Sequence, residues 1–107
     1  MPRDGLIRVA GVEDIPPGQV KVVEVDKKPI AVFNIDGFFH AIYNVCPHEG
    51  GPLAQGRRKG CVIFCPWHDL AFDIRNGHAT DGGGYCVGSY EVQVEGNDVY
   101  VGARRKL

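Results

Sequence analysis

The sequence predicts an all-β fold: an antiparallel sandwich or partly closed barrel carrying an inserted, loop-rich subdomain. Three observations lead there. Gly and Pro, 15 and 7 of the 107 residues, punctuate the chain at roughly the eight-to-twelve-residue spacing of many short strands. The residues between them are rich in β-branched side chains or alternate with period two. No long segment shows the apolar repeat of a helix.

The elements follow in order. Pro16-Pro17-Gly18 makes a turn, and residues 20–25 after it are a β-branched run. Pro29 opens a strand over residues 30–35. Asp36-Gly37 is a strong hairpin signal, because both residues tolerate positive φ, and residues 38–45 run back. Near the C-terminus, Tyr90-Glu91-Val92-Gln93-Val94 alternates, Gly96-Asn97 turns the chain, and residues 99–101 return. The last residues, Arg104-Arg105-Lys106-Leu107, read as a solvated tail. The middle differs: residues 46–86 hold every Cys, three of the four His and more than half of the glycines. Strand-like runs there are short, at 61–64 and 71–74. Asn76-Gly77 is a turn, and Asp81-Gly82-Gly83-Gly84 is too flexible for the interior of an element.

Composition bounds the function. A chain of 11.7 kDa is one domain, and at this length only about two-thirds of the unfolded surface is buried, so a staple would help. Twelve Lys and Arg against thirteen Asp and Glu leave a net charge of −1, with no basic surplus to displace phosphate counterions from nucleic acid. No apolar run is long enough to span a membrane, and residues 1–9 lack the apolar core of a secretory signal. A cytoplasmic protein is expected. Its four cysteines, Cys46, Cys61, Cys65 and Cys86, then point to metal before disulfides.

Cys46-Pro47-His48 is followed by residues 49–64, sixteen in all, and then by Cys65-Pro66-Trp67-His68. Each motif presents one thiol and one imidazole, and each has Pro directly after its Cys, which fixes the local φ. Structural zinc sites commonly pair like with like, as in C-x-x-C followed by H-x-x-x-H. Two mixed loops suit a 2Fe-2S cluster better, one iron taking two thiolates and the other two imidazoles. A zinc-stabilised interaction module is the alternative of another class.

These residues resemble the Rieske iron–sulfur family, whose motif is Cys-x-His, a spacer of about this length, then Cys-x-x-His. Gly50-Gly51-Pro52-Leu53 and Gly56 resemble the family's first loop and its exit, and Phe72-Asp73 and Gly77 its second. Tyr90-x-Val92-x-Val94 and Val99-Tyr100-Val101 resemble its last hairpin. The resemblance implies a β base of residues 1–44 and 76–107 with a cluster-binding subdomain of about 45–75. It implies one 2Fe-2S cluster, with Cys46 and Cys65 on the inner iron and His48 and His68 on the outer. Two imidazoles in place of two thiolates favour reduction, which puts the family at roughly −150 to +300 mV.

High-potential members place Ser and Tyr where this chain has Leu70 and Phe72, and a disulfide where it has Gly51 and Trp67. Both departures imply the low-potential ferredoxin branch. Asp69 stands where Gly is usual, and its carboxylate would lower the potential further. Gly82-Gly83-Gly84 stands where members often carry Pro. The function implied is a soluble one-electron carrier between a flavin-dependent ferredoxin reductase and a terminal aromatic-ring oxygenase: a monomer that docks transiently, without enzyme activity of its own. A small subunit of a larger oxidoreductase, such as nitrite reductase, is the alternative within the same chemistry.

The remaining residues have plainer readings. Cys61 and Cys86 are expected as buried apolar cysteines, His40 at the sheet surface and His78 in solvent. Trp67 either covers the cluster or stands at a docking tip. Arg57-Arg58-Lys59 is expected as a charged turn, with a docking patch for an acidic partner as the functional alternative.

Overall fold

The computed structural model describes residues 5–47, 50–67, 70–80 and 84–105. These form nine strands: β1 Ile7–Gly11, β2 Val20–Val25, β3 Lys28–Ile35, β4 Phe38–Tyr43, β5 Arg58–Lys59, β6 Val62–Phe64, β7 Ala71–Asp73, β8 Ser89–Glu95 and β9 Asp98–Arg104. Single 3-10 turns lie at Val12–Asp14 and Leu53–Gln55. Every strand pairing is antiparallel. Six strands form one sheet in the order β1-β9-β8-β4-β3-β2, and β5-β6-β7 form a second. The end strands β1 and β2 approach each other, so the large sheet curls into a nearly closed barrel. No helix among the described residues is long and apolar enough to cross a membrane.

Hairpin turns set the register of β2, β3 and β4. Asp36 and Gly37 both take positive φ, at 55° and 90°, the twist that joins adjacent antiparallel strands. Asp26 and Lys27 do the same between β2 and β3, at 52° and 63°. That second turn has no glycine and is silent in the sequence.

β3 is buried on both faces, from Ile30 to Ile35. Side chains alternate across a strand, so its residues divide between two cores. Ile30 and Val32 point into the barrel with Ala10, Ile15, Val25, Ala41, Val99 and Val101. Ala31, Phe33 and Ile35 point the other way and pack with Ile42, Leu53, Ile63, Phe72, Ile74 and Val87. β3 and β4 are thus a wall shared by the barrel and the small sheet.

Asn34 sits on this wall at 2% exposure. Its Nδ2 donates to the Ile15 carbonyl at 2.7 Å, and its Oδ1 accepts the Gly37 N–H at 2.8 Å. The side chain therefore ties the β3–β4 turn to the segment before β2.

Three expectations are corrected. Arg104 is the last residue of β9, opposite Tyr90, and the Arg105 N–H bonds to the Ser89 carbonyl, so the strand runs to Arg104 and Arg105 is tied to its neighbour, although both are exposed. A Cβ on Gly88 would meet the outer part of the Arg104 side chain at 2.9 Å. Arg58 and Lys59 are a strand paired with Ile63 and Val62, and the turn falls at residues 60–61. Cys61 and Cys86 are half-buried, the first on that turn and the second in a bridge with His78. Residues 106–107, and 81–83 of the glycine run, lie outside the described residues.

Asn34→Ala removes both side-chain bonds and leaves the Ile15 carbonyl without its donor. The expected cost is about 1–3 kcal/mol, seen as a lower urea midpoint. An unchanged midpoint would show that water replaces the amide.

Candidate metal centre

Two loops at one edge of the shared wall carry the cysteines. The first leaves β4 through Asn44, which is buried and makes three hydrogen bonds. Its N–H donates to Pro29, its carbonyl accepts from Leu53, and its Oδ1 accepts the Ala54 N–H at 2.7 Å. Val45 then pairs with Pro52. The Cys46 N–H donates to the Gly51 carbonyl at 2.9 Å, and the Gly50 N–H returns to the Cys46 carbonyl at 2.8 Å. Gly50 closes this loop with φ 81°.

The second loop joins β6 to β7. After the Phe64–Ala71 pair, the Cys65 N–H donates to the Leu70 carbonyl at 2.9 Å. Both loops are therefore closed alike, by a bond from the cysteine N–H to the carbonyl five positions on (46 to 51, 65 to 70). His48 and His68 fall inside these closures, at residues that lie outside the described ones.

The thiols are 1% and 3% exposed and belong to one apolar floor with Phe33, Leu53, Phe72 and Ile74. The loops touch: a Cβ built on Gly51 would lie 2.8 Å from the Cys65 Sγ and 3.2 Å from the Trp67 ring. Trp67 lies against Gly51 of the first loop and remains 60% exposed.

Tight packing braces the loops from behind. A Cβ on Gly56 would land on the Phe64 carbonyl, and one on Gly77, whose φ is 81°, on the Val87 carbonyl. Gly77 accepts the Val87 N–H and donates to Asp73, while Thr80 donates to Ala71 beside the second loop. The Arg57 guanidinium lies 4.2 Å over the Phe64 ring, so the basic run starts at the base of the Cys65 loop and leads away from it.

Among the described residues no third His, Cys, Asp or Glu joins the two thiols. What the structure offers is a soft sulfur pair, drawn from two loops onto a dry floor, with each loop held by its own backbone bonds. That donor set fits a thiolate-bound inorganic centre. Asn44 escaped the sequence reading; an Asn inside a run otherwise suited to a strand was its only signal.

A different cluster of polar groups lies at the Val62–Asp73 end of the β6–β7 hairpin, away from Cys65. Arg75 bonds Asp73 through Nε at 3.1 Å and through a terminal nitrogen at 2.8 Å, which holds the carboxyl below its usual range. Beside them His40, Tyr90 and Arg105 line an open groove of about 250 Å³. Burial holds the His40 imidazole below its ordinary value; Arg75 and Arg105 push the same way and Asp73 opposes.

Comparison with known proteins identifies the family. Residues 5–91 match the Rieske [2Fe-2S] domain. The chain belongs to the Rieske family. Its cofactor is one 2Fe-2S cluster, and the zinc module falls away. Human apoptosis-inducing factor 3 is 33% identical over 92% of the chain, which spans only 16% of that protein's length. Ferredoxin CarAc of Metapseudomonas resinovorans is 32% identical over 94% of this chain and 95% of its own. Among solved structures, a complex of reduced oxygenase and oxidized ferredoxin in carbazole 1,9a-dioxygenase contains a chain with TM-score 0.86 and 31% identity, covering 98% of this chain and 99% of that one. The ferredoxin of carbazole 1,9a-dioxygenase from Nocardioides aromaticivorans also gives 0.86, at 29% identity over 92% of this chain and 98% of that one.

Two outcomes follow for this Rieske chain. The Leu70 side chain packs on the floor that holds both thiols, so Leu70→Ser adds a hydroxyl donor beside the sulfurs. The midpoint potential should rise in protein-film voltammetry, because such a donor favours the more negative reduced cluster; no rise with the cluster intact would put the hydroxyl out of reach. For His40, the unfolded chain binds the proton more readily than the folded one. Stability is therefore complete above the ordinary imidazole value and is lost as pH falls toward the depressed one. Between about pH 7.5 and 5.5 the wild-type urea midpoint should fall further than that of His40→Gln; parallel falls would contradict this.

Proposed function

We propose that the chain is a soluble one-electron carrier that holds its cluster through Cys46, His48, Cys65 and His68. It takes an electron from a flavin-dependent reductase and passes it to a terminal aromatic-ring oxygenase. The observation that carries this is the pair of identically closed loops, each presenting a cysteine to one dry floor, in a chain that covers nearly the whole of a ferredoxin. When bound, the cluster supplies a one-electron couple.

The chain's own residues make that couple usable. Cys46 and Cys65 fix the buried side of the site, and the likeness to the Rieske motif supports His48 and His68 as the ligands of the outer iron. The backbone bonds closing each loop, with Asn44 and Gly56 behind them, resist movement on reduction, so the nuclear rearrangement that accompanies transfer stays small. Leu70 and Phe72 bring no hydroxyl to the sulfurs, which supports a potential in the lower part of the family's range. Electron carriage needs no acid–base pair and no substrate cavity, so the chain works as a component and not as an enzyme by itself. A cytoplasmic setting fits its cysteines, none of which forms a disulfide.

Anaerobic stopped-flow mixing tests the role. The dithionite-reduced chain is mixed with the oxidised terminal oxygenase of an aromatic-ring dioxygenase system. The chain should recover its oxidised visible spectrum at a rate that depends on both concentrations and on ionic strength. A reduced chain that stays reduced beside competent oxygenases, or that purifies only within a larger oxidoreductase, would contradict a shuttle.

A further inference from the structure

Gly51 and Trp67 make a contact that neither the backbone nor the cluster motif requires. Eight glycines among the described residues take positive φ, and Gly51 is not one of them. Its missing side chain is explained by space. A Cβ there would press on the Cys65 Sγ at 2.8 Å and on two atoms of the indole, Cγ and Cδ2, at 3.2 Å each. The glycine thus leaves a shallow seat in the first loop, and the indole of the second loop lies in it beside the sulfur. The indole's other side faces solvent, for Trp67 is 60% exposed while Cys65 is 3% exposed.

We infer that Trp67, seated on Gly51, is a lid that keeps water from the Cys65 sulfur and thereby holds the reduction potential down. The inference rests on the proposed role of Cys65 as a ligand. Reduction adds negative charge to the sulfurs, and any water donating a hydrogen bond there stabilises the reduced state. An apolar ring in that place withholds the donor. The same contact joins the two loops without a covalent link, since one loop supplies the seat and the other the ring. Trp67 is accordingly a shielding and positioning residue.

The test uses the holoprotein and the variants Trp67→Ala, Trp67→Phe and Gly51→Ala. Three quantities are read: midpoint potential by protein-film voltammetry, deuterium coupling to the reduced cluster after exchange into D₂O, and the rate at which the visible spectrum bleaches in air. Trp67→Ala should raise the potential, strengthen the deuterium coupling and bleach several-fold faster. Trp67→Phe should stay near wild type, because a phenyl ring covers the same seat. Gly51→Ala, which unseats the ring, should shift in the direction of Trp67→Ala.

An intact cluster in Trp67→Ala with wild-type potential and deuterium coupling would overturn the lid. So would faster bleaching alone, which a purely structural brace would give. If Trp67→Ala assembles no cluster, Trp67→Phe decides: restored assembly at the wild-type potential supports the lid, and failure there too overturns it. Absence of iron from the wild-type protein would instead overturn the ligand assignment, a result separate from all of these.

Discussion

One strand buried on both faces organises the molecule. Ile30 and Val32 close the barrel, while Ala31, Phe33 and Ile35 form the floor beneath the cysteine loops. Because side chains alternate strictly, β3 cannot slip by one residue without exchanging the two cores. The turns at Asp26-Lys27 and Asp36-Gly37 fix that register from both ends. The metal centre is thereby mounted on the barrel wall. The small sheet has only three short strands, and its order depends on the apolar layer that β3 and β4 offer it.

On that floor the two loops solve the same problem twice. Each must hold a buried cysteine on the shared floor at the start of a tight loop. Each does so by spending the cysteine N–H on the carbonyl that ends the loop. The price is backbone exactness behind the loops: Gly56 and Gly77 sit so close to neighbouring carbonyls that no larger residue fits. A carrier gains from this stiffness, since an electron-transfer site should change shape little between its two oxidation states.

The fold was largely legible because its signals are local. Asp36-Gly37 announces its turn, and the alternation at Tyr90-Glu91-Val92-Gln93-Val94 announces β8. What escaped depends on tertiary neighbours. Asp26-Lys27 takes positive φ without glycine because the paired strands demand it. Arg104 joins β9 by pairing with Tyr90 across the sheet. β1 was missed since Ile7–Gly11 is short and acquires its strand character only by pairing with β9. For the centre, the spacing of Cys46, His48, Cys65 and His68 was plain, and the structure unites the two thiols, with both histidines outside the described residues. Asn44 and the seating of Trp67 on Gly51 were not legible, for each depends on a contact between segments far apart in the chain.

The central claim is a mixed set of ligands, two sulfurs from Cys46 and Cys65 on one iron and two nitrogens from His48 and His68 on the other. Pulsed electron paramagnetic resonance of the dithionite-reduced protein reads it directly, because a nitrogen bound to iron couples strongly to the unpaired electron. Two directly bound imidazole nitrogens are predicted, shifting as expected for the isotope when histidine is labelled with ¹⁵N. A reduced cluster with no bound nitrogen, or a preparation without iron after anaerobic reconstitution, would contradict the account.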